Sequence, residues 1–149
     1  MLKMKMLAMT LMAALPMSVM AAEGGGGGSS RGIKVKVTAG KHVLTATFID
    51  NATTRALVAK FPLTVPMMDL YSRELVYRFP EPLPANETRT SGYEVGDIVY
   101  WAPRHSFVIM YAQNGERISD LQKVGRIDAG VEVLGTTGNT NVRFELLKN

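Results

Sequence analysis

The feature that most constrains this chain is a two-residue period that begins at Ile33. Over the segment 33–38, Ile-Lys-Val-Lys-Val-Thr, apolar and polar residues alternate strictly. Successive side chains of an extended strand point to opposite faces, so this pattern predicts a strand with one face on a core. Gly40-Lys41 predicts a tight turn and residues 43–50 a second strand, which together give a β-hairpin. The outward lysines predict that the first strand lies at the edge of a sheet.

Short strands bounded by turn residues continue through the rest of the chain. Further strands are predicted at residues 63–70, 74–79, 95–101, 107–111, 123–128 and 141–147. Pro66 indicates an edge or a bulge, because proline cannot donate to a strand ladder. Residues 107–111 are apolar at every position, which is typical of a strand buried on both faces. Asn114-Gly115 indicates a hairpin turn.

Helical signals are few and short. Asp50-Asn51 can cap a helix over residues 53–60, which Phe61-Pro62 ends, and a helical turn is predicted near residues 130–134. About eight short strands with one or two short helices predict an all-β fold, a small closed antiparallel β-barrel. No internal repeat is present.

The segment before this barrel has the layout of a secretory signal peptide. Lys3 and Lys5 precede the run 6–22, in which 14 of 17 residues are apolar, and small side chains follow at its end. The alternative, a transmembrane anchor, needs about 20 apolar residues. Pro16 and the lack of a basic stop-transfer flank favour cleavage, which we expect after Ala21. The protein is thus predicted to be exported by a bacterium and to be periplasmic or secreted.

Five consecutive glycines follow the predicted signal segment. Such a run has high backbone entropy and buries nothing, so residues 22–32 are predicted to be a flexible linker. A spacer to a membrane or partner and a simple disordered leader are both open, and the second is favoured because no anchor is evident. The predicted organisation is a signal peptide at 1–21, a linker at 22–32 and one barrel domain at 33–149.

Composition excludes several classes of function. The chain has no cysteine, which excludes a disulfide scaffold, a thiolate metal site and a cysteine nucleophile. His42 and His105 are too few for a histidine metal site and no ligand spacing supports a mixed one, so no metal and no cofactor are predicted. Removal of Lys3 and Lys5 with the signal peptide lowers the net charge of the chain from +4 to +2. Basic residues do not cluster with aromatic ones, so no nucleic acid is expected as a partner. No membrane span is expected after cleavage, and the oligomeric state is not indicated.

An ordered set of motifs covers nearly the whole domain. They are Phe61-Pro62-Leu63-Thr64, Glu74-x-x-Tyr77-x-Phe79-Pro80, Gly96-Asp97-Ile98-Val99-Tyr100-Trp101-x-Pro103, Val108-Ile109-Met110-Tyr111 and Val124-Gly125-Arg126-Ile127. In this order they resemble the bacterial cyclophilin-like domain family. The resemblance implies a closed eight-stranded β-barrel capped by short helices. It implies no defined activity, because the function of the family is itself poorly defined.

The similarity to cyclophilins raises the possibility of prolyl isomerase activity. That chemistry needs an arginine guanidinium aimed at the prolyl nitrogen and an apolar pocket for the ring. In the isomerases the arginine follows a Phe-His pair, and no Phe-His-Arg sequence occurs here. Arg104-His105 contains two of these residue types but belongs to a different element. No catalytic residue is therefore assigned, and a divergent peptidyl-prolyl cis-trans isomerase is kept as the alternative to a protein without enzymatic activity.

Large aromatic residues concentrate near one predicted hairpin, beside a basic pair. By alternation half of the aromatic side chains point into the barrel, and the others can line an outer surface. We therefore predict a ligand-binding site at Trp101, Arg104, His105 and Tyr111. The predicted function is a binding module for a small molecule or short peptide.

Two charged residues are assigned structural roles. Arg126 is predicted to pair with Asp128 or Asp97, and Asp97 is predicted to fix its turn through backbone hydrogen bonds.

Overall fold

The computed structural model describes residues 32–148, and the predicted signal peptide and almost all of the predicted linker lie outside these described residues. Nine strands lie within residues 32–148, and we label them in chain order. They are β1 (Ile33–Ala39), β2 (His42–Phe48), β3 (Leu63–Leu70), β4 (Glu74–Arg78), β5 (Arg89–Ser91), β6 (Asp97–Trp101), β7 (Ser106–Met110), β8 (Ile118–Ile127) and β9 (Thr140–Leu146). One α-helix, α1 (Ala52–Val58), and the 3-10 turns Ala102–Arg104 and Val131–Thr136 complete the described elements.

The strands form a closed antiparallel barrel, as the sequence predicts. Their order is β2-β1-β9-β3-β4-β7-β6-β8, and pairing between β2 and β8 closes the ring. The short strand β5 pairs with the first residues of β8, Ile118 and Leu121, and is the ninth strand of the sheet. The all-β, eight-stranded prediction is therefore confirmed.

The prediction that β1 lies at an edge is wrong. β1 pairs with β2 on one side and with β9 on the other. Lys34 and Lys36 point away from the barrel axis, perpendicular to the plane of the sheet. Alternation therefore reports a solvent-facing side of the sheet, which an interior strand of a barrel has as readily as an edge strand.

Pro66 lies in the half of β3 that has one partner. Residues Leu63–Met67 pair with β9, whereas only Met68–Leu70 pair with β4. Pro66 thus lies in a segment whose other side carries no strand ladder, which suits a residue without a backbone N–H. The prediction of edge character holds locally, although β3 as a whole is an interior strand.

Asn114-Gly115 does not form the predicted hairpin. The strands it joins are not neighbours, since β7 pairs with β4 and β6 whereas β8 pairs with β6, β2 and β5. The turn is still built as Asn-Gly turns are, because the Asn114 side chain accepts from the backbone N–H of Glu116 at 3.0 Å. It lies in a loop, residues 111–117, that crosses from one side of β6 to the other.

The barrel interior is filled by apolar side chains from every strand of the ring. Phe107 of β7 and Phe144 of β9 pack against each other in this core, with ring centroids 4.9 Å apart, and both are fully buried. Helix α1 adds the fully buried Leu57. At seven residues α1 is short, and no helix within residues 32–148 has the length and hydropathy needed to cross a membrane.

A second apolar cluster lies on the outside of the barrel. Its buried members come from the outer faces of four neighbouring strands and from the loop before β6, namely Val76, Tyr93, Val99, Val108, Met110 and Leu121. Strand β7 is therefore buried on both faces, as its continuous apolar sequence predicts. This outer cluster is the floor of the candidate site.

Candidate functional site

The outer faces of β4, β7, β6 and β8 form a groove of about 380 Å³, which we call the outer groove. Its floor is a row of three valines that are direct neighbours across the sheet: Val76 of β4 opposes Val108 of β7, which opposes Val99 of β6. Because side chains alternate along each strand, the residues two positions away also face the groove. The floor is therefore apolar, and the polar residues Glu74, Arg78 and Ser106 lie at its two ends.

One end of the outer groove is a row of three unlike residues. Arg78 opposes Ser106, and Ser106 opposes Trp101. Ser106 is 1% exposed and its hydroxyl donates to the backbone carbonyl of Arg104 at 3.2 Å. The indole of Trp101 is held by a 2.9 Å hydrogen bond from its Nε1 to the carbonyl of Ser119. A small side chain between two large ones leaves a depression with a cation on one wall and an aromatic ring on the other.

Arg78 has no counter-ion among the described residues. Its Nε is buried and makes no hydrogen bond to them, and no ion pair within residues 32–148 includes its guanidinium. Buried polar groups in folded proteins are nearly always paired, because an unmade hydrogen bond at a desolvated donor costs about 1–3 kcal/mol. Arg78 is thus the group of the outer groove that lacks a partner.

At the opposite end of the outer groove, which we call the closed end, the charged side chains Arg73, Glu74 and Glu116 pair with one another. Arg73 forms an ion pair with Glu74, to which its Nε donates at 2.6 Å, and its Nη1 donates to Glu116 at 2.6 Å. The guanidinium carbon also lies over the rings of Tyr71 and Tyr93, 5.2 and 5.5 Å from their centroids. Every charge at this end therefore has a partner.

The titration of this closed end follows from burial and from the sharing of one cation. Burial raises the pKa of Glu74, and the charge and hydrogen bond of Arg73 offset only part of that effect. Burial by itself lowers the pKa of Arg73, but its two carboxylate partners outweigh this and raise the pKa above its ordinary value. Arg73 therefore stays charged and forms ion pairs with both Glu74 and Glu116.

A polar network positions β6, the strand that carries Trp101. Asp97 is 2% exposed, and its Oδ2 accepts from the backbone N–H of Glu94 at 2.8 Å and from Lys123 at 2.9 Å. Its Oδ1 lies 3.4 Å from Nη1 of Arg126. The turn-fixing role predicted for Asp97, and the pairing predicted between Arg126 and Asp97, are both confirmed.

Only one of the four predicted ligand-binding residues lines the outer groove. Trp101 does so, whereas Arg104 is exposed in the adjoining 3-10 turn. His105 ends that turn in the left-handed region with φ 51°, and its Nδ1 lies 3.2 Å from the carbonyl oxygen of Phe79. Ligand binding by these residues remains a prediction.

Tyr111, the fourth predicted residue, is engaged away from the outer groove. Its hydroxyl donates to Oδ1 of Asp69 at 2.5 Å, and its ring packs closely over Gly135. Burial and this hydrogen bond raise the pKa of Tyr111 to about 12. These contacts join β3, the end of β7 and the 3-10 turn Val131–Thr136.

Sequence reasoning missed Arg78, Ser106 and the closed end. Two signals were available in the sequence. Glu74, Val76 and Arg78 lie two residues apart and therefore share one face of a predicted strand, and the strand at residues 107–111 is apolar on both faces. The second signal indicates that something covers the outside of the barrel there. Without strand order, however, nothing shows that β4 and β6 lie on either side of β7. Within residues 32–148, no three histidine, aspartate or glutamate side chains lie close enough to hold a metal ion.

Comparison with known proteins identifies the fold. No curated protein matches this chain. The solution structure of a hypothetical protein from Archaeoglobus fulgidus is similar, with a TM-score of 0.64 at 17% sequence identity, over 79% of this chain and 98% of that chain. A likeness at this identity concerns the fold alone. The model of the cyclophilin-like family matches residues 37–145, from β1 to β9. With most of the barrel matched in this way, the chain belongs to the cyclophilin-like family.

Proposed function

We propose that this protein is an exported binding module that takes a small molecule or short peptide in the outer groove. The observation that carries the proposal is a concave apolar floor with the guanidinium of Arg78 at one end, where no side chain of residues 32–148 forms an ion pair with it. Small-molecule sites are typically concave and mostly apolar, with volumes of about 300–1,000 Å³ and a few fixed polar groups. The outer groove has these properties.

The only tryptophan of the chain, Trp101, gives a direct test because it lines the outer groove. We expect short peptides or small aromatic or aliphatic compounds that bind in the outer groove to change the fluorescence emission of Trp101 during titration. Trp101→Ala removes an aromatic wall, so calorimetry should then show affinity weakened at least tenfold.

Arg104→Ala, in the adjoining turn, tests the flanking part of the predicted site. If Trp101→Ala and Arg104→Ala both bound every ligand as tightly as the native protein, the site assignment would be wrong. If no compound bound the native protein, the binding-module proposal itself would fail.

Export is the second part of the proposal, and it rests on the sequence of residues 1–21. We expect fractionation of the bacterial host to place the protein in the periplasm or medium. N-terminal sequencing should find a chain beginning at Ala22. A cytoplasmic protein that still carries Lys3 and Lys5 would overturn this part.

A divergent peptidyl-prolyl isomerase is the second candidate, and Arg78 is the observation that favours it. An arginine beside an apolar groove is the arrangement needed to lower the barrier of about 18–20 kcal/mol to rotation of the prolyl bond. A protease-coupled assay with proline peptides tests this candidate. Turnover that Arg78→Ala abolishes would establish the isomerase, and absence of turnover by the native protein would exclude it.

A further inference from the structure

We infer that the ligand of the outer groove carries a carboxylate, which Arg78 binds while the apolar body of the ligand lies on the valine floor. This inference rests on the proposed function, since it specifies the chemistry of what the same groove binds. It follows from the distribution of charge along the groove and from its dimensions.

The positive charge of the outer groove that lacks a paired carboxylate among the described residues lies at the Arg78 end. Arg73 pairs with both Glu74 and Glu116, so the opposite end has a formal net charge of −1, whereas no described residue forms an ion pair with Arg78. Arg78 is half-buried, and its Nε is a buried donor without a hydrogen bond to the described residues, so a ligand carboxylate that accepts from it removes an existing penalty. The planar fork of arginine matches a carboxylate, which can accept two parallel hydrogen bonds from it.

The surroundings of Arg78 favour a single negative charge. Its neighbour across the sheet, Ser106, is small and leaves room above it, and the next residue in the row is the apolar wall of Trp101. The remaining cation of the outer groove, Arg73, already has two carboxylates within hydrogen-bond distance. One free guanidinium matches a monoanion such as a carboxylate better than a doubly charged phosphate.

The length of the groove limits the apolar body. From Arg78 to the closed end at Glu74 the strand advances four residues, which corresponds to about 13 Å at the usual rise of a strand. The floor between them is Val76 with its neighbours Val108 and Val99. A carboxylate followed by an apolar body of this length is found both at the C-terminus of a short apolar peptide and in a medium-chain free acid.

The experiment compares acids with their amides on the full-length protein. The probes are acetyl-Ala-Val-Phe with a free carboxylate, the same peptide as its C-terminal amide, octanoate and octanamide, with binding measured by Trp101 fluorescence and calorimetry. We expect at least one acid to bind tenfold or more tightly than its amide. Whether the peptide or the fatty acid binds identifies the source of the carboxylate.

Variants assign that preference to Arg78. Arg78→Met keeps the apolar stem without the charge and should abolish the preference for the acid. Arg78→Lys keeps the charge without the fork and should retain part of it. The matched control is Arg143→Met, since Arg143 lies on the outer face of β9 and pairs with Glu145 at 3.2 Å. That variant should bind as the native protein does.

The outcomes separate this inference from the proposed function. Equal binding of acid and amide by the native protein would overturn the inference, while the binding module stands. A preference for the acid that survives in Arg78→Met would also overturn it. If neither these probes nor any compound of the fluorescence screen bound, both proposals would fail. The comparison of acid with amide needs only the native protein, so it decides the question even if Arg78→Met does not fold.

Discussion

At the scale of single residues, Gly125 permits the closure of the barrel. Here β8 pairs with β2 and Gly125 lies opposite Phe48. A Cβ added to Gly125 would lie 2.5 Å from the carbonyl oxygen of Thr47 and 2.8 Å from the Cα of Phe48. Both of these atoms belong to backbone, so they cannot turn aside as the end of a flexible side chain can. Gly125→Ala should therefore separate the two strands and cost about 3 kcal/mol of unfolding free energy, the upper range for overpacking. Urea denaturation measures this loss.

Gly92→Ala is the matched control for that experiment. No heavy atom lies within 4 Å of a Cβ added at Gly92. Its substitution should change the unfolding free energy by no more than about 0.5 kcal/mol, as at ordinary surface positions. Equal losses for the two variants would show that close approach at the β2–β8 contact is not what Gly125 provides.

Asp128 makes stability depend on pH in the acid range. It accepts from Thr45 at 2.9 Å and from Thr47 at 2.8 Å, and Lys34 lies 3.5 Å away. Burial raises the pKa of Asp128, but these hydrogen bonds and the lysine charge outweigh it and hold the pKa below its ordinary value of 3.8. The folded state therefore favours the carboxylate. Its contribution is present above that ordinary value and is lost as the pH falls through the lowered folded pKa.

Asp128→Asn tests this linkage. We expect it to lower the unfolding free energy by about 1 kcal/mol at pH 7, a modest loss because the network is partly exposed. The difference from the native protein should shrink at pH values below about 4, where the unfolded carboxyl is protonated. Urea midpoints at pH 7, 5 and 3 measure it, and a difference that stays constant over this range would contradict the assignment.

At the scale of elements, Asn51 joins helix α1 to the barrel. Its Oδ1 accepts from the backbone N–H of Thr54 at 2.9 Å as a helix cap, and its Nδ2 donates to the carbonyl of Lys123 in β8 at 3.0 Å. Because Asn51 is buried, Asn51→Ala leaves the backbone N–H of Thr54 without its cap and removes one of two side-chain donors to the carbonyl of Lys123, so it should cost about 2 kcal/mol. Asn51→Asp keeps the cap but loses the donor, so its loss should be intermediate. An aspartate variant as stable as the native protein in urea would show that the contact with Lys123 contributes nothing.

The elements themselves could be predicted from the sequence, whereas their pairing could not. The period of two located β1 and β2 because alternation is a local consequence of one-sided burial. The pairing of β1 with β9 joins residues about a hundred positions apart, and no local pattern records it. The hairpin predicted at Asn114-Gly115 failed for the same reason, because turn chemistry constrains the turn and not the neighbours of the strands it joins. Arg78 was missed because its position beside Ser106 and Trp101 follows only from the order β4-β7-β6.

At the scale of the whole molecule, one set of strands builds both the core and the candidate site. Along β7, Phe107 and Ile109 point into the barrel, and Val108 and Met110 point into the outer cluster. Strands β4 and β6 are divided between the two clusters in the same way. The outer groove therefore lies on the outer side of the same strands whose inner side chains fill the barrel. One strand register sets both the shape of the groove and the packing of the interior.

This shared construction predicts that the outer groove and the barrel unfold together. Trp101 reports on the groove and far-UV circular dichroism on the strands, and small single domains usually unfold in one cooperative step. We expect the two signals to give the same urea midpoint in the native protein. Phe144→Leu changes the barrel interior at a position remote from Trp101 in sequence and should lower the unfolding free energy by about 1.5 kcal/mol. Both signals should then move to the same lower urea midpoint. A Trp101 transition at lower urea than the loss of strand signal would show instead that the outer cluster opens by itself, and the groove would then be a separable layer on an intact barrel.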